Sequence, residues 1–405
     1  MHHDLIAVLA FLTTASVSFA QSSEILVSTQ NQIRRYTAAG ALISQIPVPY
    51  PGGSRPATEA ARDLVVHPSG DVYVFNGTFH PYLSVRRAAN SQWEHFQDPL
   101  WSLGNNGSHG GITLFDGAVF LAGSETAFAT GALFRFDIAS TTFTRFATQF
   151  VDGFIDLTVG WDGKLYALSA YDLVQVFDAV TLQHLSTITL PFALGARGVG
   201  VAADGTLLIA SWQQGLKRFD ANGNLQQTIT TGSRHHDLDV GACGDIQCGD
   251  WNGRIIQTTA ALTGYTQFFS GNTNTFVAWA TPTVPAPAIA TARAGTPSNP
   301  PAFTGGGAIL GTQWSGTLQP FLAGAIADVV VFGAGAANVP TNYGTVLFDE
   351  ALTWFTFDAA AGTSISVAIP NDCHLTGVRF VAQAASVSLA AIALTNALDV
   401  RISSF

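Results

Sequence analysis

Apolar and polar residues alternate along most of this chain, and glycine turns punctuate the alternation at a regular interval. A strand-turn-strand phrase recurs five times, as RDLVVHPSGDVYVF (62–75), GGITLFDGAVFLAG (110–123), IDLTVGWDGKLYAL (155–168), RGVGVAADGTLLIA (197–210) and HDLDVGACGDIQCG (236–249). Its turn glycines, Gly70, Gly117, Gly163, Gly205 and Gly244, fall about 40–47 residues apart, the period of a four-stranded propeller blade. Each phrase runs on into two more alternating segments, such as VQVFDAVTLQHLSTI (174–188) and LKRFDANGNLQQTI (216–229). The predicted unit is therefore four strands, buried on both faces between neighbouring units. Five complete blades result, at 62–97, 110–147, 154–190, 196–230 and 235–270.

The two ends of this region are incomplete in complementary ways. EILVSTQNQIRRYTAAGALISQIPV (24–48) matches strands two to four of a blade without the first, and TFVAWATP (275–282) matches a first strand with nothing after it. Joined, they predict a sixth blade that leaves no open sheet edge. The expected fold of 24–281 is an all-β, six-bladed β-propeller closed by its N- and C-terminal strands. A Pro/Ala-rich linker is expected at 282–302. Eight or so short Gly/Ala-rich strands over 303–405 predict a separately folding β-sandwich.

Charged residues make up 11% of the 405-residue chain, and the formal charge is −10 with no basic cluster. That balance argues against nucleic acid and anionic membrane as partners. The opening LIAVLAFLTTASVSFA (5–20) is an apolar run ending in small residues, although MHHD before it lacks Lys and Arg. It reads as a secretory signal peptide over 1–20, so the protein is expected to be exported to the periplasm, cell surface or medium. No membrane span is expected, because the best candidate, FLAGAIADVVVFGAGAA (321–337), holds Asp328 at its centre and reads as buried strand. Of the cysteines, Cys243 falls at a hairpin tip and Cys248 well up the next strand. They stand on the order of 13 Å apart at about 3.3 Å per residue, too far for an unstrained disulfide.

The stretch HHDLDVGACGDIQCGDWNGRIIQ (235–257) resembles an NHL-type repeat, with Gly244, Ile246, Asp250, Asn252, Arg254 and Ile255 in the places of its turn glycine, strand, Asp, Asn and Arg-Ile. The other repeats keep the glycine and the strands but lose the Asp-Asn-Arg set, so the chain is similar to the wider NHL/SMP-30-like class of six-bladed propellers. In the tail, PSNPPAF (297–303), IPNDCHLTGVRFVAQAASV (369–387) and LTNALDV (394–400) resemble an Ala/Gly-rich module at the C-terminal end of many exported bacterial proteins. That resemblance implies an accessory module and brings no catalytic motif.

In a propeller, first strands line the channel, and the loops entering them share one face with the loops joining strands two and three, where ligands gather. Three readings of that mouth compete. His109 and His235 with Asp237, and His236 beside them, offer a metal site suited to zinc, though adjacent histidines on a strand face opposite ways. Trp212, Trp251 and Tyr171 offer flat platforms for a glycan, with Asp250, Arg62 and Arg197 at the same mouth. Asp63, Asp156 and Asp237 offer inward acids for lactonase-like hydrolase or lyase chemistry, and would repel unless a cation such as Ca²⁺ or protonation relieved them. No G-x-S-x-G, H-E-x-x-H, C-x-x-C or P-loop occurs. The favoured expectation is a non-enzymatic binding protein that presents this mouth to a glycan, small molecule or protein. A hydrolase or lyase with a metal in the channel is the alternative.

Overall fold

The computed structural model describes residues 24–29, 31–51, 60–77, 82–97, 111–126, 130–150, 153–169, 172–191, 195–213, 215–269, 275–279 and 285–404. The expected signal peptide lies outside them. The chain divides into two compact units, one ending at Pro285 and one running from Ala286 to the C-terminus.

The first unit is built, among the described residues, from six four-stranded antiparallel sheets. Sheet I takes Phe276–Trp279, Ile25–Thr29, Gln32–Tyr36 and Leu42–Pro47, in that order. Sheets II to VI begin with Ala60–Val66, Ile112–Phe115, Phe154–Val159, Ala196–Val201 and His235–Val240, and each adds the next three strands of the chain in sequence. In sheet I, Ile25 stands opposite Trp279 and Ser28 opposite Phe276.

The recurring phrase forms the first hairpin of sheets II to VI. Gly70, Gly117, Gly163, Gly205 and Gly244 all have φ between 77° and 87°, the left-handed region that glycine reaches without strain. Second strands such as Val72–Gly77 and Leu207–Ser211 are wholly buried, whereas an outer strand, His184–Thr189, is almost wholly exposed. Burial on both faces comes from packing sheet on sheet. Tyr73, Leu83, Leu114 and Phe134 join sheets II and III, and Val174, Ile188, Val199 and Ile209 join IV and V. Leu208, Leu238 and Ile256 join V and VI, Ile255 meets Ile25 and Val277, and Leu26 and Phe276 meet Leu64 and Val74. Phe146 and Phe177 link III to IV edge-on at 6.2 Å. The leading strand of each sheet packs beside that of the next, and Phe276–Trp279 packs beside both His235–Val240 and Ala60–Val66. Val65, Thr113, Thr158, Asp239 and Trp279, from five leading strands, surround one cavity of about 60 Å³. Cys248 is a buried free thiol in the sheet V and VI core.

The second unit holds a larger sheet ordered Ile289–Arg293, Ile392–Ser403, Arg379–Ser388, Ala325–Gly333 and Thr353–Ala360, and a smaller one of Phe303–Gly305, Gln313–Leu318 and Ser364–Ala368. Trp314 and Ile365 of the smaller sheet share a core with Phe332, Phe380 and Val400 of the larger, and Trp314 meets Phe380 edge-on at 5.5 Å. Asp328 is buried, as its place in an apolar run requires, and accepts from Ser386 Oγ at 2.6 Å and Gly362 N at 2.7 Å.

The expected linker at 282–302 is not all connector. Ile289–Arg293 is an edge strand paired to Ile392–Ser403, and Arg293 grips Asp399 through Nε and Nη2 at 2.9 and 3.0 Å. Proline content masked the alternation in IATAR. The motifs quoted from the tail meet in space: Asn299 Nδ2 donates to Thr395 O at 2.8 Å, and Asn396 exchanges hydrogen bonds with the Phe303 backbone at 2.9 and 2.8 Å. Gln383 Nε2 also donates to Thr395 O at 2.8 Å. These buried amides satisfy loop backbone that would otherwise stand unpaired.

Candidate functional site

The site is organised by an irregularity that four sheets share. Pairing between the leading and second strands slips by one residue between Ala61 and Asp63, Phe154 and Asp156, Ala196 and Gly198, and His235 and Asp237. Such a bulge bends the strand and re-aims side chains. The extra residues are Arg62, Ile155, Arg197 and His236, and the residue after each is Asp63, Asp156, Gly198 or Asp237.

His236 is the hub of an aromatic cluster. Its ring stacks on Trp251 at 5.2 Å, meets Trp212 edge-on at 4.9 Å and lies 6.1 Å from Phe276. Trp212 and Trp251 are 5.3 Å apart because each follows a second strand and is fixed in the same way: Trp212 N donates to Gly195 O and Trp251 N to Arg234 O, both at 2.8 Å. The guanidinium groups of Arg197 and Arg234 lie 5.6 and 5.1 Å from the Trp212 ring centre, within the range of cation–π attraction. Burial first, then Arg197, Arg62 and His235, hold His236 down to about 3, so its imidazole is neutral at physiological pH. Burial also depresses Arg197, against the pull of Asp172.

Beside Trp212 opens a groove of about 480 Å³, lined by Gln213, Thr230, Gly232, Ser233 and Arg234. Ser233 is only 8% exposed, and its hydroxyl has no partner among the described residues.

The second constellation lies one residue further along the leading strands. Carboxylate oxygens of Asp63, Asp156 and Asp237 come within 4.8 Å of one another. Each acid also reaches into the next sheet: Asp63 accepts from Ile112 N at 2.9 Å, Asp156 from Val199 N at 2.6 Å and Asp237 from Val277 N at 2.7 Å. Sheets II, IV and VI thus carry acids, and III, V and I receive them. The places matching the acids in sheets III and V are glycines. A Cβ on Gly111 would collide with Asp156, and one on Gly198 would stand 2.9 Å from Asp237 Cα. Burial, reinforced by the charge of its neighbours, drives Asp63 and Asp156 well above the usual carboxylate range, and burial pushes Asp237 up to about 7. The three cannot all ionise at neutral pH without a counter-charge.

The sequence candidates fall in different places. Arg62, Arg197, Trp212 and Trp251 belong to the bulge-and-aromatic end. Asp250 does not offer a free carboxylate: it is buried, takes Arg254 Nε at 2.8 Å and accepts the backbone N–H groups of Asn252 and Arg254. Its place in the repeat is that of a turn clamp. His235 Nε2 pairs with Thr231 Oγ1, and burial holds it down to about 4, while Asp237 joins the other acids. His109 and Tyr171 lie outside the described residues. Sequence reasoning passed over Arg234 and Ser233, which stand just before the repeated phrase, where the alignment carries no signal.

No family model matches the chain, and no curated protein matches it. Solved structures similar to it include a streptogramin B lyase, 17% identical with a TM-score of 0.45, covering 64% of this chain and 86% of that one. A protein of unknown function from Bacteroides caccae is 10% identical with a TM-score of 0.46, covering 64% and 98%. The Pan2 WD40 domain of Neurospora crassa is 9% identical with a TM-score of 0.41, covering 64% and 76%. The lyase and the WD40 domain are β-propellers. With identities no higher than 17% and TM-scores no higher than 0.46, no residue role passes from these proteins to this chain.

Proposed function

We propose that the first unit is a six-bladed β-propeller of the NHL/SMP-30-like class, closed by the pairing of Ile25–Thr29 with Phe276–Trp279, and that the second is a β-sandwich accessory module of an exported protein. The propeller acts as a non-enzymatic binding protein. Its ligand or partner sits at the end where Arg62, Arg197, Trp212 and Trp251 gather. One observation carries this reading: two indoles, an uncharged imidazole and two guanidinium groups crowd together around Trp212. Aromatic faces and arginines are the groups that dominate recognition surfaces. The test is a glycan and protein binding screen repeated with Trp212→Ala and Trp251→Ala. Both variants should lose the binding that the parent shows while keeping its circular dichroism; unchanged binding in both overturns the reading.

A hydrolase or lyase with a channel metal is the second reading, favoured by the convergence of Asp63, Asp156 and Asp237. Three carboxylates could hold Ca²⁺. Against it, each acid is already committed to backbone N–H groups of the adjoining strand. Elemental analysis of the purified protein separates the two: stoichiometric metal that disappears in Asp237→Ala supports the enzyme.

A further inference from the structure

We infer that the groove beside Trp212 takes an acidic saccharide, its carboxylate or sulfate held by Arg234 and Ser233 and its sugar ring lying against the neighbouring indoles. The inference rests on the binding reading above and names the ligand class for the same end of the propeller. Four observations carry it.

The groove, at about 480 Å³, has the size of a small-ligand site. Ser233 is among its lining residues, and the Ser233 hydroxyl is buried without a partner among the described residues; a buried polar atom left unpaired is costly, and a ligand oxygen that reached it would relieve it.

The local charge leans toward cations, with Asp172 an acid that bears on Arg197 without a direct ion pair. Arg197 and Arg234 both lie against Trp212, and Arg62 and Arg197 both bear on His236. Among the described residues no ion pair joins Arg197 or Arg234 to an acid; Asp250, in the neighbouring turn, is taken by Arg254. In a chain of formal charge −10, such a patch selects an anion.

The remaining lining, Gln213, Gly215, Thr230 and Gly232, is uncharged, and the side chains of Gln213 and Thr230 suit hydroxyl groups. Trp251 is 38% exposed and 5.3 Å from Trp212. A ring anchored at Arg234 therefore has an apolar surface within reach, as the C–H face of a sugar requires. Phosphate or sulfate alone would not use the indoles.

The test measures affinity of the full chain for oligogalacturonate, a sulfated oligosaccharide, a neutral maltooligosaccharide and free sulfate. One or both acidic oligosaccharides should bind at least tenfold more tightly than the neutral one and than sulfate, and the better of the two identifies the anionic group. Arg234→Gln, at an exposed position, should abolish that preference. Arg379→Gln, which removes the same charge from the second unit, should leave it intact. Equal binding of acidic and neutral sugars, no binding of either acidic sugar, or an unaltered preference in Arg234→Gln overturns the inference. Should another ligand still be lost in Trp212→Ala, only the ligand class has failed; should no binding depend on Trp212 or Trp251, the binding reading has failed with it.

Discussion

Asp156 Oδ2 accepts the backbone N–H of Val199 at 2.6 Å, tying the leading strand of one sheet to that of the next. Asp63 with Ile112 and Asp237 with Val277 repeat the bond. One side chain type thus does two things: it stitches neighbouring sheets and concentrates negative charge where the three meet.

That concentration makes stability depend on pH. An Asp raised to about 7 holds its proton more tightly folded than unfolded, where the value is about 3.9. Its stabilising contribution is full below the unfolded value and is lost as pH climbs through 7. His235 and His236, held down to about 4 and about 3, act oppositely, weakening the fold as pH drops below about 6.5. Asp237→Asn removes the acid and keeps one of the two acceptors that serve Val277 N and Leu238 N, a loss that does not vary with pH. Its Tm relative to the parent should therefore rise between about pH 5 and about pH 8; a difference that stays flat or falls counts against a protonated Asp237 in the folded chain.

Gly111→Ala should destabilise through collision. The new methyl would press on the Asp156 carboxylate and the Leu157 backbone, a cost on the order of 2 kcal/mol or more. Gly117→Ala meets no neighbour and bears only the strain of its positive φ, about 1–2 kcal/mol. Urea unfolding should rank Gly111→Ala as the worse.

Asp250→Ala and Trp212→Ala should separate folding from recognition. The first frees Arg254 and two turn amides and should lower Tm by several degrees, about 1–3 kcal/mol. The second should leave Tm within a few degrees but weaken ligand binding by about 2 kcal/mol, roughly thirtyfold. Scanning calorimetry beside titration calorimetry distinguishes them; equal losses in both would merge the two roles.

Cys248 should be inert until the first unit opens. It is fully buried, and burial with Asp237 and Asp250 nearby pushes its thiol well above the usual range, suppressing the reactive thiolate. Iodoacetamide should leave its peptide unmodified in native buffer and alkylate it in denaturant, as read by peptide mass. Rapid native labelling would contradict its burial.

Much of the architecture was legible because turns and alternation are local properties. The five glycines lie at positive φ, and the sheets begin within a few residues of the expected repeats. The site was less legible for reasons of geometry. Arg62, Arg197 and His236 share an alignment column, but that column is a bulge, and only the slipped register reveals that its side chains leave the normal alternation. Asp250 carried the acid of the NHL-like motif, and its chemistry proved to be internal. Arg234 and Ser233 sit in a connecting loop, whose shape no periodicity encodes. Ile289–Arg293 was hidden by prolines flanking an otherwise ordinary edge strand.

The pairing of Ile25–Thr29 with Phe276–Trp279 bears on how the polypeptide is made. Ile25–Thr29 precedes Phe276–Trp279 by nearly the whole unit, so it receives this inner neighbour only on the order of tens of seconds after its own synthesis, at about 5–20 residues per second. During that interval it presents bare backbone to other nascent chains. A premature stop anywhere before Phe276 would make that exposure permanent, so late truncations should aggregate as readily as early ones.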